Sequence, residues 1–522
     1  MSIKEILQQH PDLREDLFVR GFLVTDRADL PMEDFPFYGA WHSRRMAGMH
    51  LYWHAKTGAH FYEADGLSLF MFGHAYNPFT MQSNEQEILA LLAKHWETDF
   101  YECLDELTGI FMLGVMTREA LIFVTDASGI QSASCGVVDS CFYLSSHAQL
   151  IGDICELETD AFVKDLVAYR WYGRVLGPYL PADLTPFSCV KRVVPNQAYR
   201  YQGGVVTHKR FYPLKELPLH QTKEQYEAAI ELGADILRRS MYLVSHKWNK
   251  PQISLTGGID SNTTFAAANG LYSRIEAFSY LASEKERPDC QAAKRISDRF
   301  SVPWTLYSIP QNNGDVALFA VRKAVLMHNN GYVAATPDHE LRKRMVLRDR
   351  FTGDVEVKSW VSETVRGYWY KHYERKSMPA LSPKLYRNLY KIFMCNRRLA
   401  HRTDHVFAQY LAEYAYASIP SQYLPADLYF WEVAWGSWGS LNISEMKYYT
   451  DITIIYNNRK FLDLMLGVPL DVRIADTHHM DMKKLLNKDL WDMNIRVINQ
   501  KETKARARLL DLIFTVNTHL PF

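Results

Sequence analysis

A chain of 522 residues is about twice the length at which one hydrophobic core stops growing, so two domains are expected. The composition, 48% hydrophobic and 23% charged with zero formal net charge, is that of an ordinary globular protein. It carries no long Lys/Arg run, which argues against a general nucleic-acid binder. The opening Met1 to Leu7 lacks the apolar core of a signal peptide, and no run of roughly 18 apolar residues occurs, so a cytoplasmic protein without a membrane partner is expected. The seven cysteines, Cys103, Cys135, Cys141, Cys155, Cys189, Cys290 and Cys395, are scattered without a C-x-x-C and read as reduced core thiols.

In chain order, Ile3, Ile6 and Leu7 mark a short amphipathic helix. Leu17 to Val19, Gly21 to Val24, His50 to Trp53 and Leu67 to Phe72 read as strands. Glu85 to His95 has helical spacing, and strands are expected at Gly109 to Met116, Ala120 to Thr125 and Cys141 to Leu144. Strands with few helices between them predict stacked antiparallel sheets with helices outside. From about Gln221 the pattern changes: helix Tyr226 to Leu243, strand Ile253 to Leu255, strand Ile275 to Leu281, helix Asp289 to Phe300, strand Trp304 to Ile309. Such alternation predicts a parallel sheet with a ligand loop at a strand's carboxyl end. Tyr368 to Trp435, rich in aromatics and helix formers, reads as a helical subdomain.

The stretch Ser254-Leu255-Thr256-Gly257-Gly258-Ile259-Asp260-Ser261 organises the second half. It reads as a strand end, a two-glycine turn and a helix start capped by Asp260 or Ser261, with Gly270 as the stop. Backbone amides, the helix N-terminus and the hydroxyls of Ser254, Thr256 and Ser261 form a cradle suited to a polyphosphate. Asp260 would repel phosphate there unless Mg²⁺ lies between them. The spacing is not that of the Walker A loop.

The stretch resembles the S-x-G-G-x-D-S pyrophosphate loop of enzymes that cleave ATP to AMP and pyrophosphate. Leu107-Thr108-Gly109-Ile110-Phe111, Asp126-Ala127-Ser128-Gly129-Ile130 and Phe142-Tyr143-Leu144-Ser145-Ser146 resemble landmarks of the N-terminal-nucleophile amidotransferase domain of asparagine synthetases. Asp183 to Pro213 resembles that family's passage into its synthetase domain. The resemblance spans nearly the whole chain. It implies an α/β plus α+β protein: residues 1–205 an Ntn-hydrolase-like αββα domain, residues 206–522 a parallel-sheet, adenine-nucleotide α-hydrolase-like synthetase domain with added helices.

The family's glutaminase uses a Cys exposed after Met removal; here Ser2 stands there and leads into a helix, so a domain without glutaminase activity is expected. His10, His42 and His54 read as surface or hydrogen-bonded core residues. In β-lactam synthetases and lasso-peptide cyclases, which share that loss, the attacking amine comes from substrate. The resemblance places Ser279 and Tyr280 along the nucleotide, while Asp289 fits either its D-x-x-x-A motif or a plain helix cap. Ser359 to Tyr368 resembles its G-x-G-x-D-E-x-x-x-G-Y segment, with Glu363, Gly367 and Tyr368 matching, Ser362 in place of the Asp, and the leading glycines gone. It implies Asp260 and Glu363 as Mg²⁺ ligands. Arg366 suits a grip on phosphate or carboxylate. Asn457 to Asp463 resembles the family's late E-x-R-x-P-F-L-D region with Asn458 near its Glu, and Lys483 or Lys484 its adenylate lysine. Glu363 and Tyr368 are the candidate bases. His478, His479 and Asp481 lack zinc spacing, and Lys501 to Arg508 reads as a solvated basic face.

The function implied is an ATP- and Mg²⁺-dependent, AMP-forming ligase that adenylates a carboxylate and joins it to an amine, in one molecule or two, with a homodimer possible. Open alternatives are an amidotransferase using ammonia or glutamine, another ATP-pyrophosphatase chemistry on tRNA, and a non-catalytic scaffold.

Overall fold

The computed structural model describes residues 2–64, 66–173, 176–334, 336–391, 396–495 and 504–519. Among the described residues seventeen strands build three sheets. The first half supplies β1 (Phe22–Thr25), β2 (Trp41–Met46), β3 (Met49–His54), β4 (Ala59–Ala64), β5 (Leu67–Tyr76), β6 (Thr108–Met116), β7 (Leu121–Thr125), β8 (Ser134–Val138), β9 (Cys141–Ser145), β10 (Val190–Arg192), β11 (Gln197–Gln202) and β12 (Val205–Arg210). They pair antiparallel in two sheets, ordered β10-β8-β9-β1-β3-β2 and β12-β11-β7-β6-β5-β4. β12 carries the second sheet past residue 205 to Arg210.

Period-two alternation sorts each strand between two layers. In β5, Phe70 and Phe72 turn inward, and Phe72 stacks on Phe22 of β1 at 4.9 Å, closing the two sheets on each other. Leu69 and Met71 turn outward and pack with Ile88, Leu89 and Leu92 of the helix Glu85–Lys94. On the other outer face Leu23, Tyr52 and Tyr143 pack with Leu7, Leu150 and Ile151 of helices Ile3–Gln9 and Ala148–Cys155. The order is helix, sheet, sheet, helix.

Leu17 to Val19 is not a strand. It follows a 3-10 turn, Pro11–Asp16, and Phe18 has φ 49°; Leu17 and Phe18 are buried in a turn with Leu7 of the Ile3–Gln9 helix, and Val19 packs with Phe278 and Met345. The cysteines are only partly core: Cys135 and Cys290 are buried, Cys189 is exposed, and Cys395 lies outside the described residues. Among the described residues no helix is long and apolar enough to cross a membrane.

The second half contributes β13 (Pro251–Ser254), β14 (Glu276–Leu281), β15 (Trp304–Ser308), β16 (Val355–Lys358) and β17 (Asp451–Ile454), all parallel, in the order β15-β14-β13-β16-β17. Helices Lys223–Lys247, Ile259–Ala267 and Thr477–Leu486 pack against one another, and Phe278, Tyr307, Leu341 and Met345 share a further cluster. The order puts the carboxyl ends of β14, β13 and β16 side by side, where a doubly wound sheet opens a ligand crevice. The described residues between Tyr368 and Trp435 are mostly helical, as expected, and end in a π-helical stretch, Tyr429–Gly439.

The halves are bolted together by buried polar groups. Arg210 donates Nη1 and Nη2 to Glu432 at 2.7 and 3.0 Å, with side chains only 2% and 0% exposed. Asn457 donates to the Gly109 carbonyl (2.7 Å) and to Asp126 (2.9 Å), and Arg459 to Asn196 (2.8 Å). Asn458 donates to the Glu106 carbonyl at 2.8 Å while capping the helix Arg459–Leu466. Gly109, at φ +142°, lies so close to the His74 carbonyl that a Cβ would stand 2.3 Å from it.

His147 is buried in the same seam, its Nδ1 2.8 Å from the Ser146 hydroxyl and its Nε2 3.1 Å from that of Ser444. Burial, with the nearby Lys447 charge, pushes its pKa down to about 3. Folded protein therefore holds this ring neutral where unfolded chain, titrating near 6.5, takes up a proton. Its contribution is complete above about pH 6.5 and is lost as pH falls toward 3. Denaturant unfolding of His147→Gln should vary less steeply with pH over that range than the parent protein; equal slopes would refute this.

Candidate functional site

The site forms where the loops leaving β13, β14 and β16 converge. A cavity of about 320 Å³ there is lined by Ser254, Leu255, Thr256, Gly258, Asp260, Ser261, Ser279, Tyr280, Asp289, Lys358, Trp360 and Glu363, among others. Nearly all the phosphate-loop residues singled out from the sequence thus face one volume, joined by Ser279, Tyr280 and Glu363 from sequence-distant strands.

The loop is built differently from the glycine-turn expectation. Gly258 is the N-cap of the helix Ile259–Ala267 with φ −74°, and no side chain caps it; Asp260 lies in the first turn. Neither Gly257 nor Gly258 takes a left-handed conformation, and a Cβ on Gly258 would meet Thr256 Oγ1 at 3.3 Å, a tight contact with one side chain. Side chains from the helix fix the turn. Asn262 Nδ2 donates to the Thr256 and Gly258 carbonyls (3.0 and 2.6 Å), and Ser261 Oγ lies 2.9 Å from Thr256 Oγ1 and accepts from the Thr256 amide at 3.2 Å. The Thr256 hydroxyl in turn accepts the Gly258 amide at 3.1 Å. Pinning those carbonyls inward leaves the helix N-terminal end facing the cavity.

Asp289 does not cap its own helix, Arg287–Phe300. Its Oδ1 accepts the Gly257 amide at 2.9 Å, and burial raises its pKa. A carboxylate of the protein thus occupies one amide of the anion cradle.

Asp260 is the centre of a charged cluster. Ser362 donates to its Oδ1 at 2.7 Å, Arg366 Nη1 donates to its Oδ2, and His479 Nε2 lies 3.8 Å away. Arg366 also grips Asp476, Nε to Oδ1 at 2.7 Å and Nη2 to Oδ2 at 3.0 Å, and Lys371 donates to the same carboxylate. Burial would raise the Asp476 carboxyl, but Arg366 and Lys371 hold it well below the usual carboxylate range. Burial and the Arg366 charge lower Lys371 to about 8. Burial, reinforced by the charge of Asp260, pushes Glu363 up to about 8. Asp260, Glu363 and a ring of hydroxyls face one cavity, hard oxygen groups of the chemical kind that Mg²⁺ takes.

Ser279 and Tyr280 form part of the cavity wall, while Tyr368, Lys483 and Lys484 do not line it. Ser279 donates to the Leu255 carbonyl at 2.7 Å and accepts from Trp304 Nε1 at 3.1 Å, tying the walls together. Tyr280 carries the Lys343 ammonium 4.4 Å over its ring. Tyr368 does not line the cavity; its ring stacks on Phe430 at 4.5 Å. Lys483 is buried and lines a different cavity, of about 270 Å³, with Ile259, Met480 and Trp491, while Lys484 is exposed. Helix phase separates the two: Lys483 shares its face with His479 and Leu486 of the helix Thr477–Leu486. His478 and His479 bond each other at 2.9 Å, ring to ring. Most of the basic tail, through residue 507, has side chains outside the described residues; Arg508 is exposed.

Sequence reading missed Asp476 and Lys371, which no local pattern announces, and Lys358 and Trp360, which counting β16 to its carboxyl end would have found. Lys358 donates to Glu356 at 2.8 Å, and its ammonium lies 5.2 Å from the Trp360 ring centre, which stacks on Trp438.

Ser2 is exposed, twenty residues ahead of β1. Its hydroxyl accepts the Glu5 amide (3.3 Å) and its own amide donates to Glu5 Oε2 (2.6 Å), a reciprocal capping box. His54 is a buried core residue, its Nε2 3.0 Å from the Glu15 carbonyl. Ser2→Ala should cost about 1 kcal/mol of helix stability at most and leave any turnover unchanged; loss of glutamine-dependent turnover in this variant would restore Ser2 as a nucleophile.

No known protein family matches the sequence, and neither does any curated protein. Among solved structures, the chain is aligned with the allosteric regulatory enzyme of purine biosynthesis at 11% identity and TM-score 0.25, over 56% of this chain and 76% of that one. It is also aligned with glutamine phosphoribosylpyrophosphate (PRPP) amidotransferase from B. subtilis, complexed with ADP and GMP, at 11% identity and TM-score 0.24, over 70% and 74%. Likenesses of that size support no conclusion about this chain.

Proposed function

We propose that the chain is an ATP-dependent, AMP-forming carboxylate–amine ligase of the asparagine-synthetase-like type, with an Ntn-like first half that supplies no ammonia. The observation that carries this is the convergence of the Ser254–Ser261 loop, Ser279, Tyr280 and Glu363 on one cavity at the carboxyl ends of three parallel strands. In this reading the loop cradles the β- and γ-phosphates. Bound Mg²⁺, held by Asp260 and Glu363, would neutralise phosphate charge. The protein's own task is preorganised electrostatics. In this reading hydroxyls and the helix N-terminus orient the triphosphate, Arg366 lends positive charge through Asp260, to which it is bonded, and Lys358 on the cavity wall offers a buried ammonium to an incoming carboxylate. Lys483 lines a neighbouring cavity and Tyr368 packs on Phe430, so neither faces the phosphate-loop cavity in this arrangement.

A second reading, a nucleotide-free scaffold, is favoured by one observation: Asp289 and Arg366 already satisfy the loop amide and Asp260. Calorimetry with Mg-ATP separates the two. The ligase should bind it and release pyrophosphate when a carboxylate–amine substrate is supplied; a scaffold should bind none.

A further inference from the structure

Both oxygens of Asp260 have donors in this structure, Ser362 on one and Arg366 on the other. Arg366 is not a stray surface side chain. Two of its N–H groups are fixed on Asp476, leaving Nη1 to point at Asp260. Asp476 is itself set in place by a left-handed backbone, φ 62°, immediately before the helix Thr477–Leu486, and it accepts from Lys371 as well as from Arg366. The planar guanidinium can hold one carboxylate bidentate and still present a third edge, which an ammonium cannot do.

Resting on the ligase reading, we propose that Arg366 is the resident counter-cation of the phosphate site: it keeps a free divalent cation off Asp260 until a nucleotide arrives to accept its Nη1. Asp260 and Asp476 carry two negative charges, and Arg366 and Lys371 two positive ones, so these four side chains offer a lone divalent cation no net attraction. A guanidinium bonded to Asp260 Oδ2 also stands where a metal ligand must be exposed. A polyphosphate changes both terms. It brings its own negative charge to hold Arg366, still anchored on Asp476, and it frees Asp260 for the cation that accompanies it. Metal and nucleotide then enter together, and the cation has no bound state of its own to idle in.

The test is a titration with Mn²⁺ alone, followed by electron paramagnetic resonance, on the parent protein, Arg366→Gln and Arg366→Gln/Asp260→Asn. The parent should bind no Mn²⁺ below about 1 mM without nucleotide, Arg366→Gln should bind one ion roughly tenfold or more tightly, and the second substitution should abolish the gain. Should Arg366→Gln fold poorly, Arg366→Lys keeps a charge on Asp476 but loses the fork, and should bind Mn²⁺ with intermediate affinity. Equal binding by parent and variants would overturn the proposal, as would no gain in either Arg366 variant. No nucleotide enters the experiment, so these results stand apart from pyrophosphate release: release without the Mn²⁺ pattern defeats only this inference, and the pattern without Mg-ATP binding defeats only the ligase.

Discussion

Asp260→Asn should reduce pyrophosphate release by at least about a hundredfold, the range seen when one preorganised electrostatic group is removed from a reaction centre. The substitution is nearly isosteric, so the cavity keeps its shape while its central charge disappears. That charge has two duties in the arrangement described: it answers Arg366 and it is a hard ligand for the cation that must accompany the phosphates. Folding should survive, since Arg366 retains Asp476 and Ser362 sits 2.7 Å from the Ser359 carbonyl. Calorimetry should show Mg-ATP affinity falling in parallel, with the melting temperature little changed. Undiminished release would remove Asp260 from the reaction centre.

The largest stability effect is expected at the seam. Glu432→Gln leaves the Arg210 guanidinium buried with half its bidentate partner gone. Breaking one side of a buried pair typically costs ~3–5 kcal/mol. The structure places this case toward the upper end, because every remaining Arg210 contact is neutral: the carbonyls of Tyr414 (2.9 Å) and Tyr212 (2.8 Å), and the Tyr416 ring 4.9 Å away. Asn196, which donates to the same Glu432 oxygen at 2.9 Å, is perturbed as well. Equilibrium denaturation should resolve the loss, and Arg210→Met with Glu432→Leu should recover most of it by removing both charges. A loss below about 1 kcal/mol would mean the pair is solvated in solution.

What could be read from the sequence was local. The strand, turn and helix around Gly257 and Gly258 and the 2.0 and 3.6 periodicities of the two halves each lie within a dozen residues, where backbone geometry ties pattern to structure. The errors share a cause. Leu17 to Val19 is as apolar as a strand, but Leu17 and Phe18 pack in a turn with Leu7 of the first helix, so the burial that periodicity detects was real and the element type was not. Edge strand β2, with His42, Ser43, Arg44 and Arg45 exposed, showed no apolar run at all. Tyr368 matched a motif by position, yet its ring is claimed by Phe430 from 62 residues away. The Asp260–Arg366–Asp476–Lys371 cluster joins segments more than a hundred residues apart, and through-space charge leaves no periodic trace in any of them.

The reach of Asn457 to the Gly109 carbonyl and the Asp126 carboxylate has a bearing on how this chain can change over generations. Asp126 meanwhile accepts the amides of Ser128, Ile130 and Gln131, so the loop that organises β7 and the segment that follows β17 share one carboxylate. A recombination event that swapped either half for a distant cousin would have to match both ends of that bond at once. The first half can therefore drift in whatever chemistry it performs while its inner edge stays bound to the second, and the two travel as one heritable block.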